Sequence, residues 1–330
     1  MKRTALRRKI SLLAMSVTAL STLAACGSGG GSSDAASGKL TISYSEEVAD
    51  ELPLWIAESA GYFKDQGLTV KLVSLPSDQG FPAMISGQTQ MASIGGSQIV
   101  SGVAGGAEVK VLSTLTPVFP YELFTKLEDG AALKGKKIGI TSKSGSLYVA
   151  TLAALDQLDL KVGDVNLVPL GSVTNVNNAL LAGTIDAAVS HPPATTQFEE
   201  AGFHSILNLA QQKLPNVNVG IASTTKFVDD NPKVVTKVMT ALKKGIERER
   251  SDEKYSVAVL SKHLGVKDPK ALHETWDYYA HQVLPEVPLP TADQLKASQA
   301  SLKGAVPGIE KVDLSKVVEP KFVNQVFKDQ

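Results

Sequence analysis

Cysteine is almost absent from this 330-residue chain, because Cys26 is its only one. A single cysteine excludes an intramolecular disulfide framework, a CxxC redox pair and a cysteine-based zinc knuckle. The fold must therefore be held together by apolar packing, and the chain is long enough to build two hydrophobic cores.

The sequence motifs of common hydrolases are missing as well. There is no GxSxG, no HExxH and no glycine-rich loop with the spacing that cradles a nucleotide phosphate. The five histidines, at positions 191, 204, 263, 273 and 281, include no close pair at metal-ligand spacing. We expect His263, His273 and His281, in the helical C-terminal part, to be structural. The sequence therefore predicts no enzyme, no cofactor and no metal site.

The first 25 residues have the pattern of an export signal. Five basic residues precede the apolar stretch Ile10–Ala25, which is too short for an ordinary membrane span. It ends in Leu-Ala-Ala-Cys, which resembles the lipobox at which bacterial lipoproteins are cleaved before a lipidated cysteine. We expect a signal peptide over 1–25, lipidation of Cys26 and a flexible tether over 26–38. A conventional signal peptide with an incidental cysteine is the alternative.

An excess of basic charge is also absent. Removing residues 1–25 takes away five basic residues and leaves 28 basic against 33 acidic residues, a net charge of −5. We find no basic stripe either, so nucleic acid is not an expected partner.

One stretch of sequence occurs twice. Met84–Ser97 predicts a helix end, a left-handed glycine at Gly87, a buried strand and a bare turn. Leu180–Pro193 repeats this order, and its Gly183 lies 96 residues after Gly87. The repetition predicts two similar α/β units, although any two α/β crossovers resemble each other to some extent.

The repeat leads to a prediction of fold class and domains. We expect an α/β protein with two Rossmann-like lobes joined by two crossovers. Because ligands of parallel sheets bind beyond the carboxyl ends of the strands, we expect the two units to face each other across a cleft lined by the repeated turns. Lobe 1 is predicted over 39–128 and 216–330, with a helical C-terminal tail, and lobe 2 over 129–215. The crossings are expected at Leu127–Ala132 and Leu214–Val217.

Several short sequence motifs together resemble a known family. They are Pro53–Ala57, Gly61–Val70, Ser86-Gly87, Gly135–Ile140 and Ala182–Ala187, in that order and spacing. They are similar to the substrate-binding proteins of ABC importers for sulfonates, nitrate, taurine and thiamine precursors. Gln90 stands where an acidic residue is commoner in that family. The resemblance covers about residues 40–242 and implies the type II periplasmic-binding-protein architecture.

Strand-end turns and helix N-termini supply the candidate binding residues. Hydroxyl and backbone N–H groups at such positions suit the oxygens of an anion. Lys143 is the one cation that the sequence places nearby, whereas Glu46 and Glu47 favour an amine or zwitterion if one of them faces the cleft. His191 either contacts the ligand or is held by local backbone hydrogen bonds. The candidates are Ser45, Glu46, Ser77, Gly96, Ser97, Ser144, Gly145, Ser146, Ser172 and His191.

The expected function is extracytoplasmic solute capture for an ABC importer. By the resemblance, a monomeric lipoprotein on the cell membrane closes two lobes on a small organic anion or zwitterion and delivers it to a permease and its ATPase. The alternatives are a thiamine-precursor pyrimidine or an aromatic acid as ligand, and a lipoprotein that senses rather than transports. An enzyme is a further alternative, since relatives of this family include a thiamine-pyrimidine synthase that relies on a cysteine-rich segment.

Overall fold

The computed structural model describes residues 37–143 and 145–328. The predicted signal peptide, the lipidation site Cys26, most of the predicted tether and the candidate Ser144 lie outside these residues.

Strands and helices alternate from the start of the described chain to residue 118. Gly87 has the predicted left-handed conformation, with φ of 79°, where one helix ends. In chain order the elements are β1 (Lys39–Tyr44), α1 (Leu52–Ser59), α2 (Tyr62–Asp65), β2 (Thr69–Ser74), α3 (Ser77–Ile85), β3 (Met91–Ile94), α4 (Gly96–Ala104) and β4 (Val109–Val118).

The next ninety residues build a second unit of the same kind. Gly183 again ends a helix in the left-handed conformation, with φ of 69°. The elements are β5 (Glu122–Thr125), β6 (Lys137–Ile140), α5 (Ser146–Gln157), β7 (Asn166–Pro169), α6 (Val173–Leu181), β8 (Ala187–Ser190), α7 (Ala194–Glu200) and β9 (His204–Asn208).

A long strand and a set of helices complete the chain. They are β10 (Pro215–Thr224), α8 (Thr225–Asp230), α9 (Pro232–Ser251), α10 (Glu253–Leu264), α11 (Pro269–Tyr278), α12 (Lys296–Ser301) and α13 (Lys321–Val326). None of the helices in the described ranges combines the length and the apolar character needed to cross a membrane.

The strands form two five-stranded sheets of the same topology. Their orders are β2-β1-β3-β10-β4 and β7-β6-β8-β5-β9. In each sheet three parallel strands are followed by an antiparallel one. This arrangement confirms the predicted α/β fold of two Rossmann-like lobes.

The first crossing between the lobes lies earlier than the sequence predicted. β5 pairs antiparallel with β8 and β9, so it belongs to the second sheet. The chain therefore crosses at residues 119–121, and the predicted crossing at Leu127–Ala132 is wrong. A four-residue apolar strand does not encode which of two sheets it joins. The return lies at 209–214 and shares only Leu214 with the predicted Leu214–Val217, because β10 already begins at Pro215.

Helix α9 packs one face on the first sheet. Its apolar stripe is buried throughout and comprises Val235, Val238, Met239, Leu242 and Ile246. Gly245 lies beside this stripe, where α9 crosses α1. A methyl group on Gly245 would lie 2.3 Å from the carbonyl oxygen of Pro53, so only glycine allows the two helices this close approach.

Most of the C-terminal tail covers the first lobe, as predicted. Phe322 and Val323 of α13 belong to the core beneath α9, and Leu302 packs with residues of β3 and α4. α12 also reaches the second lobe, where Ala297 packs against its core. The tail therefore contacts both lobes while its main apolar contacts lie in the first.

Three carboxylates are buried in the first lobe behind the loop that follows β1. Asp50 and Glu51 begin the short helical turn before α1, and Glu249 lies on α9. Burial raises the pKa of Glu249 well above its ordinary value, and the charge of Arg250 opposes this rise only in part. Burial likewise raises the pKa of Glu51, whose Oε2 accepts a hydrogen bond from the Ser93 hydroxyl at 2.7 Å.

We predict that Gly245→Ala destabilises the protein by about 1–3 kcal/mol, because the added methyl group overlaps the backbone of α1. The higher helix propensity of alanine, about 1 kcal/mol, acts in the opposite direction. Chemical denaturation measures the free energy of unfolding. Gly163→Ala is the control, since a methyl group there meets nothing within 4 Å. Equal stability of the two variants would contradict the close-approach argument.

We also predict that stability falls as pH rises from about 5 to 8. A buried glutamate with a raised pKa keeps its proton in the folded state at pH values where the unfolded chain has lost it. Folding then becomes less favourable by up to about 1.4 kcal/mol per pH unit and group. Glu249→Gln should flatten this dependence in denaturation curves at several pH values. Glu247→Gln, on the exposed side of α9, should keep the wild-type slope; a wild-type slope in Glu249→Gln would refute the assignment.

Candidate functional site

The two lobes enclose a cleft of about 1040 Å³ at the carboxyl ends of their strands. The first lobe contributes the loop after β1 and the first turns of α3 and α4. The second contributes the turns before α5, α6 and α7. Ser97 and His191 line this same cleft, so the two copies of the repeated stretch face each other as the sequence predicted.

Six of the predicted site residues line the main cleft: Ser45, Glu46, Ser97, Gly145, Ser172 and His191. Ser146 lines a smaller chamber that opens from it. Ser77 begins α3, and its neighbours Pro76 and Asp78 line the cleft. Ligand contact by any of these residues stays a prediction.

Gly96 differs from the prediction of an exposed backbone donor. A methyl group on Gly96 would lie 3.0–3.1 Å from Ser298, Leu295 and Val217. Its lack of a side chain therefore serves the packing of α4 against the C-terminal tail, and Gly96 is not among the described residues that line the cleft.

Ser97 lies inside the first turn of α4 and does not cap it. The helix already begins at Gly96, and the Gln98 side chain accepts the Gly95 N–H at 3.0 Å. The Ser97 side chain is buried, and its hydroxyl has no hydrogen-bond partner among the described residues. Because Ser97 also lines the cleft, its hydroxyl remains a candidate for ligand contact.

Glu46 connects the lobes across the cleft. Its carboxylate accepts the backbone N–H of Val173 at the N-terminus of α6, where the helix dipole favours negative charge. Burial raises the pKa of Glu46, while the Val173 hydrogen bond and the nearby His191 oppose the rise. The side chain is half-buried, so it faces the cleft rather than bulk solvent.

His191 is buried and oriented by its own loop. Its Nδ1 lies 2.9 Å from the carbonyl oxygen of Pro192, and because that oxygen can only accept, Nδ1 carries the proton. The ring packs against Tyr121 and Tyr279, with centroids 5.4 and 6.1 Å away. In the neutral ring Nε2 is then an acceptor. The predicted local backbone hydrogen bond is therefore present, and ligand contact by His191, which lines the cleft, stays a prediction.

Glu47 is tied to the C-terminal part of the chain. It accepts a hydrogen bond from the Tyr44 hydroxyl, and its Oε2 lies 3.3 Å from Nδ1 of His263. His263 stacks on the buried Trp55 with ring centroids 4.2 Å apart, so His263 has a structural role, as expected. These contacts hold the end of α10 at the cleft, where Leu264 and Val266 form part of the wall.

The charges in the cleft wall are mostly negative. Among the described residues that line it, Glu46, Glu47 and Asp78 are carboxylates, and none is a lysine or arginine. Lys143, the cation expected nearby, is exposed and is not among these lining residues. An anionic ligand would therefore find hydroxyl and N–H donors but no fixed positive side chain there.

Several lining residues were missed in the sequence. They lie in the first two turns of the helices that follow the predicted strand-end turns, which is the signal that could have identified them. They are Phe81, Gln98, Ser101, Asn177, Asn178 and Gln197. No group of three His, Cys, Asp or Glu side chains that could hold a metal ion occurs within 37–143 and 145–328.

Comparisons with known proteins agree with this fold. The 4-amino-5-hydroxymethyl-2-methylpyrimidine phosphate synthase THI13 of Saccharomyces cerevisiae is 30% identical over 144 residues, 42% of this chain and 41% of that protein. The riboflavin-binding protein RibY of Chloroflexus aurantiacus is 24% identical over 202 residues, 59% and 57% of the two chains. The chain thus matches about two fifths of the length of the synthase relatives.

A solved structure with the same fold is the periplasmic aliphatic sulphonate binding protein SsuA from Escherichia coli. The TM-score is 0.70 at 19% identity, covering 86% of this chain and 92% of SsuA. The likeness confirms the periplasmic-binding-protein fold. The family model described as NMT1/THI5 like matches residues 49–252, more than half of the chain. With these two lobes and this match, the chain belongs to the NMT1/THI5-like family.

Proposed function

We propose that this protein is the solute-binding component of an ABC importer and that it closes its lobes on a small neutral or cationic nitrogen heterocycle. One observation carries the choice of ligand. The lining residues within the described part of the chain include Glu46, Glu47 and Asp78 but no lysine or arginine. A sulfonate would lack a counter-ion here, while a ring with amino groups would meet hydrogen-bond acceptors.

The neutral groups of the cleft support the same choice. Asn177, Asn178 and Gln197 can donate to and accept from the polar edge of a heterocycle, and Phe81 offers an aromatic face. The relatives point in this direction too, since THI13 is named for an aminopyrimidine and RibY for riboflavin. Of the ligands that the sequence left open, the thiamine-precursor pyrimidine is therefore preferred to the organic anion.

Capture is proposed to occur by hinge closure. The hinges are the crossings at 119–121 and 209–214, and two hydrogen bonds hold the lobes together at the cleft. Glu46 accepts from the Val173 N–H, and the Ser146 hydroxyl donates to the Asn218 carbonyl oxygen at 3.1 Å. The monomeric protein is proposed to be anchored outside the cytoplasm through lipidated Cys26, where it delivers the solute to the permease and its ATPase.

Because some relatives are named as synthases, an enzyme is the second candidate function. The match to them is 30% identity over two fifths of their length. The only cysteine of this chain is the proposed lipidation site, so a cysteine-rich catalytic segment has no counterpart here. We therefore propose binding and release of an unchanged solute.

Calorimetry with a ligand panel tests the proposed function. We expect binding of 4-amino-5-hydroxymethyl-2-methylpyrimidine and no binding of taurine, nitrate or alkanesulfonates. Glu46→Gln should weaken binding about tenfold, the effect of one charge-assisted hydrogen bond, whereas the exposed Glu58→Gln should have no effect. Tight binding of a sulfonate in place of the pyrimidine would overturn the ligand class. Mass spectrometry of the ligand recovered after binding should show an unchanged mass. A changed mass would show chemical conversion and favour the enzyme.

We further predict that Gly95→Ala favours the open form. A methyl group on Gly95 would lie 2.3 Å from the Ser146 hydroxyl on the opposite lobe. Small-angle scattering should give a larger radius of gyration, and solute affinity should drop. The double variant Gly95→Ala/Ser146→Gly removes the overlapping atom and should recover the compact form. Failure of this rescue would show that the clash across the lobes is not the cause.

A further inference from the structure

A small polar chamber opens from the bottom of the cleft between the two lobes. Its volume is about 60 Å³, room for a group of a few atoms. It shares Glu46, Val173 and His191 with the main cleft, and Asp50 and Asn218 lie deeper. The chamber is therefore continuous with the cleft and could take the narrow end of a solute whose larger part lies above.

Neutral donors already hold the carboxylate of Asp50. Its Oδ1 accepts from Nδ2 of Asn218 at 2.8 Å, and its Oδ2 accepts from the Tyr279 hydroxyl at 2.8 Å. Burial and the negative charge of Asp50 raise the pKa of Tyr279, so this phenol stays protonated and donates. No lysine or arginine occurs among the described lining residues.

The Asn218 side chain has an acceptor left over. Because a carboxylate accepts hydrogen bonds, the amide nitrogen must face Asp50 and Oδ1 must face away from it. Asn218 is 3% exposed, and Oδ1 has no hydrogen-bond partner among the described residues. A buried acceptor without a partner costs about 1–3 kcal/mol, so this one is set to receive a donor.

Three further groups line the chamber. Glu46 adds a carboxylate on the cleft side, and His191 presents Nε2, which accepts a hydrogen bond when the ring is neutral, because Nδ1–H donates to the Pro192 carbonyl. The Tyr121 hydroxyl makes a hydrogen bond with the Asn218 side chain, and this bond involves the amide nitrogen because Oδ1 has no partner among the described residues. The chamber thus combines buried acceptors with negative charge.

We infer that this chamber is a subsite for a cationic nitrogen group, an ammonium or amidinium, at one end of the transported solute. The inference rests on the proposed function and specifies where its nitrogen-rich end binds. The cation would donate to Asn218 Oδ1 and lie near Asp50 and Glu46, while the larger part of the solute occupies the main cleft. Selectivity then depends on the size and charge of this end group.

Three probes of nearly the same shape test the subsite: benzamidine, benzamide and benzoate. We expect calorimetry to give at least about tenfold tighter binding of benzamidine than of benzamide, the effect of one charge-assisted hydrogen bond, and no binding of benzoate. Asn218→Leu should abolish the preference for benzamidine. Asn216→Leu is the matched control on the same strand, because Asn216 is buried without side-chain partners among the described residues and does not line the chamber.

The subsite is refuted if benzamidine binds no more tightly than benzamide. It is also refuted if the Asn218→Leu variant still prefers benzamidine to benzamide. If Asn218→Leu does not fold, a crystal structure of the wild type with benzamidine decides. An amidinium nitrogen within hydrogen-bond distance of Asn218 Oδ1 supports the subsite, and an amidinium in the main cleft refutes it. Pyrimidine binding without the benzamidine preference removes the subsite alone, whereas tight sulfonate binding removes the proposed function.

Discussion

The antiparallel pairing of β4 with β10 is the constraint on which the arrangement of the cleft depends. These two strands are neighbours in the first sheet, and their pairing extends to Val118 opposite Pro215. All five strands of the second sheet lie between these two positions in the chain. Lobe 2 is therefore a continuous insertion at the end of a long hairpin, and both crossings leave the first lobe side by side.

The two sheets have the same strand arrangement, but the chain enters it at a different strand in each sheet. In the first sheet the antiparallel strand beside the parallel three is β10, the last strand to be made, whereas in the second it is β5, the first. This arrangement brings the carboxyl ends of both sets of parallel strands to a common cleft. Ser97 and His191, which follow the equivalent strands β3 and β8, are thereby placed on opposite walls.

Local signals in the sequence were sufficient for the elements and for the two-lobe fold. Gly87 and Gly183 mark helix ends because both adopt a positive φ, and the apolar spacing of α9 identifies its buried face. The position of β5 was not predictable in this way, since sheet membership is decided by pairing with distant strands. Leu264 and Val266 were missed as cleft residues because contacts with Glu47 and Trp55 bring them there from far along the chain.

The buried asparagines show a second limit of sequence patterns. Asn216 and Asn218 alternate with valines in β10, a pattern that is typical of a strand with one face in water. β10 is instead an interior strand covered on both sides, so both amides are buried. A polar side chain in such a strand needs partners, and among the described residues Asp50 and Tyr121 supply them for the Asn218 amide nitrogen but not for Oδ1. These partners are distant in the sequence, so the alternating pattern alone does not identify them.

The hairpin of β4 and β10 makes lobe 2 tolerant of changes in length. Because Val118 and Pro215 are held as neighbours by the first lobe, the entropy of bringing the ends of the insertion together is already lost. Changes of length within the inserted lobe then leave the register of the first sheet intact. Such a scaffold can vary one wall of its binding site by insertion and deletion while the other wall, with the C-terminal tail, stays constant.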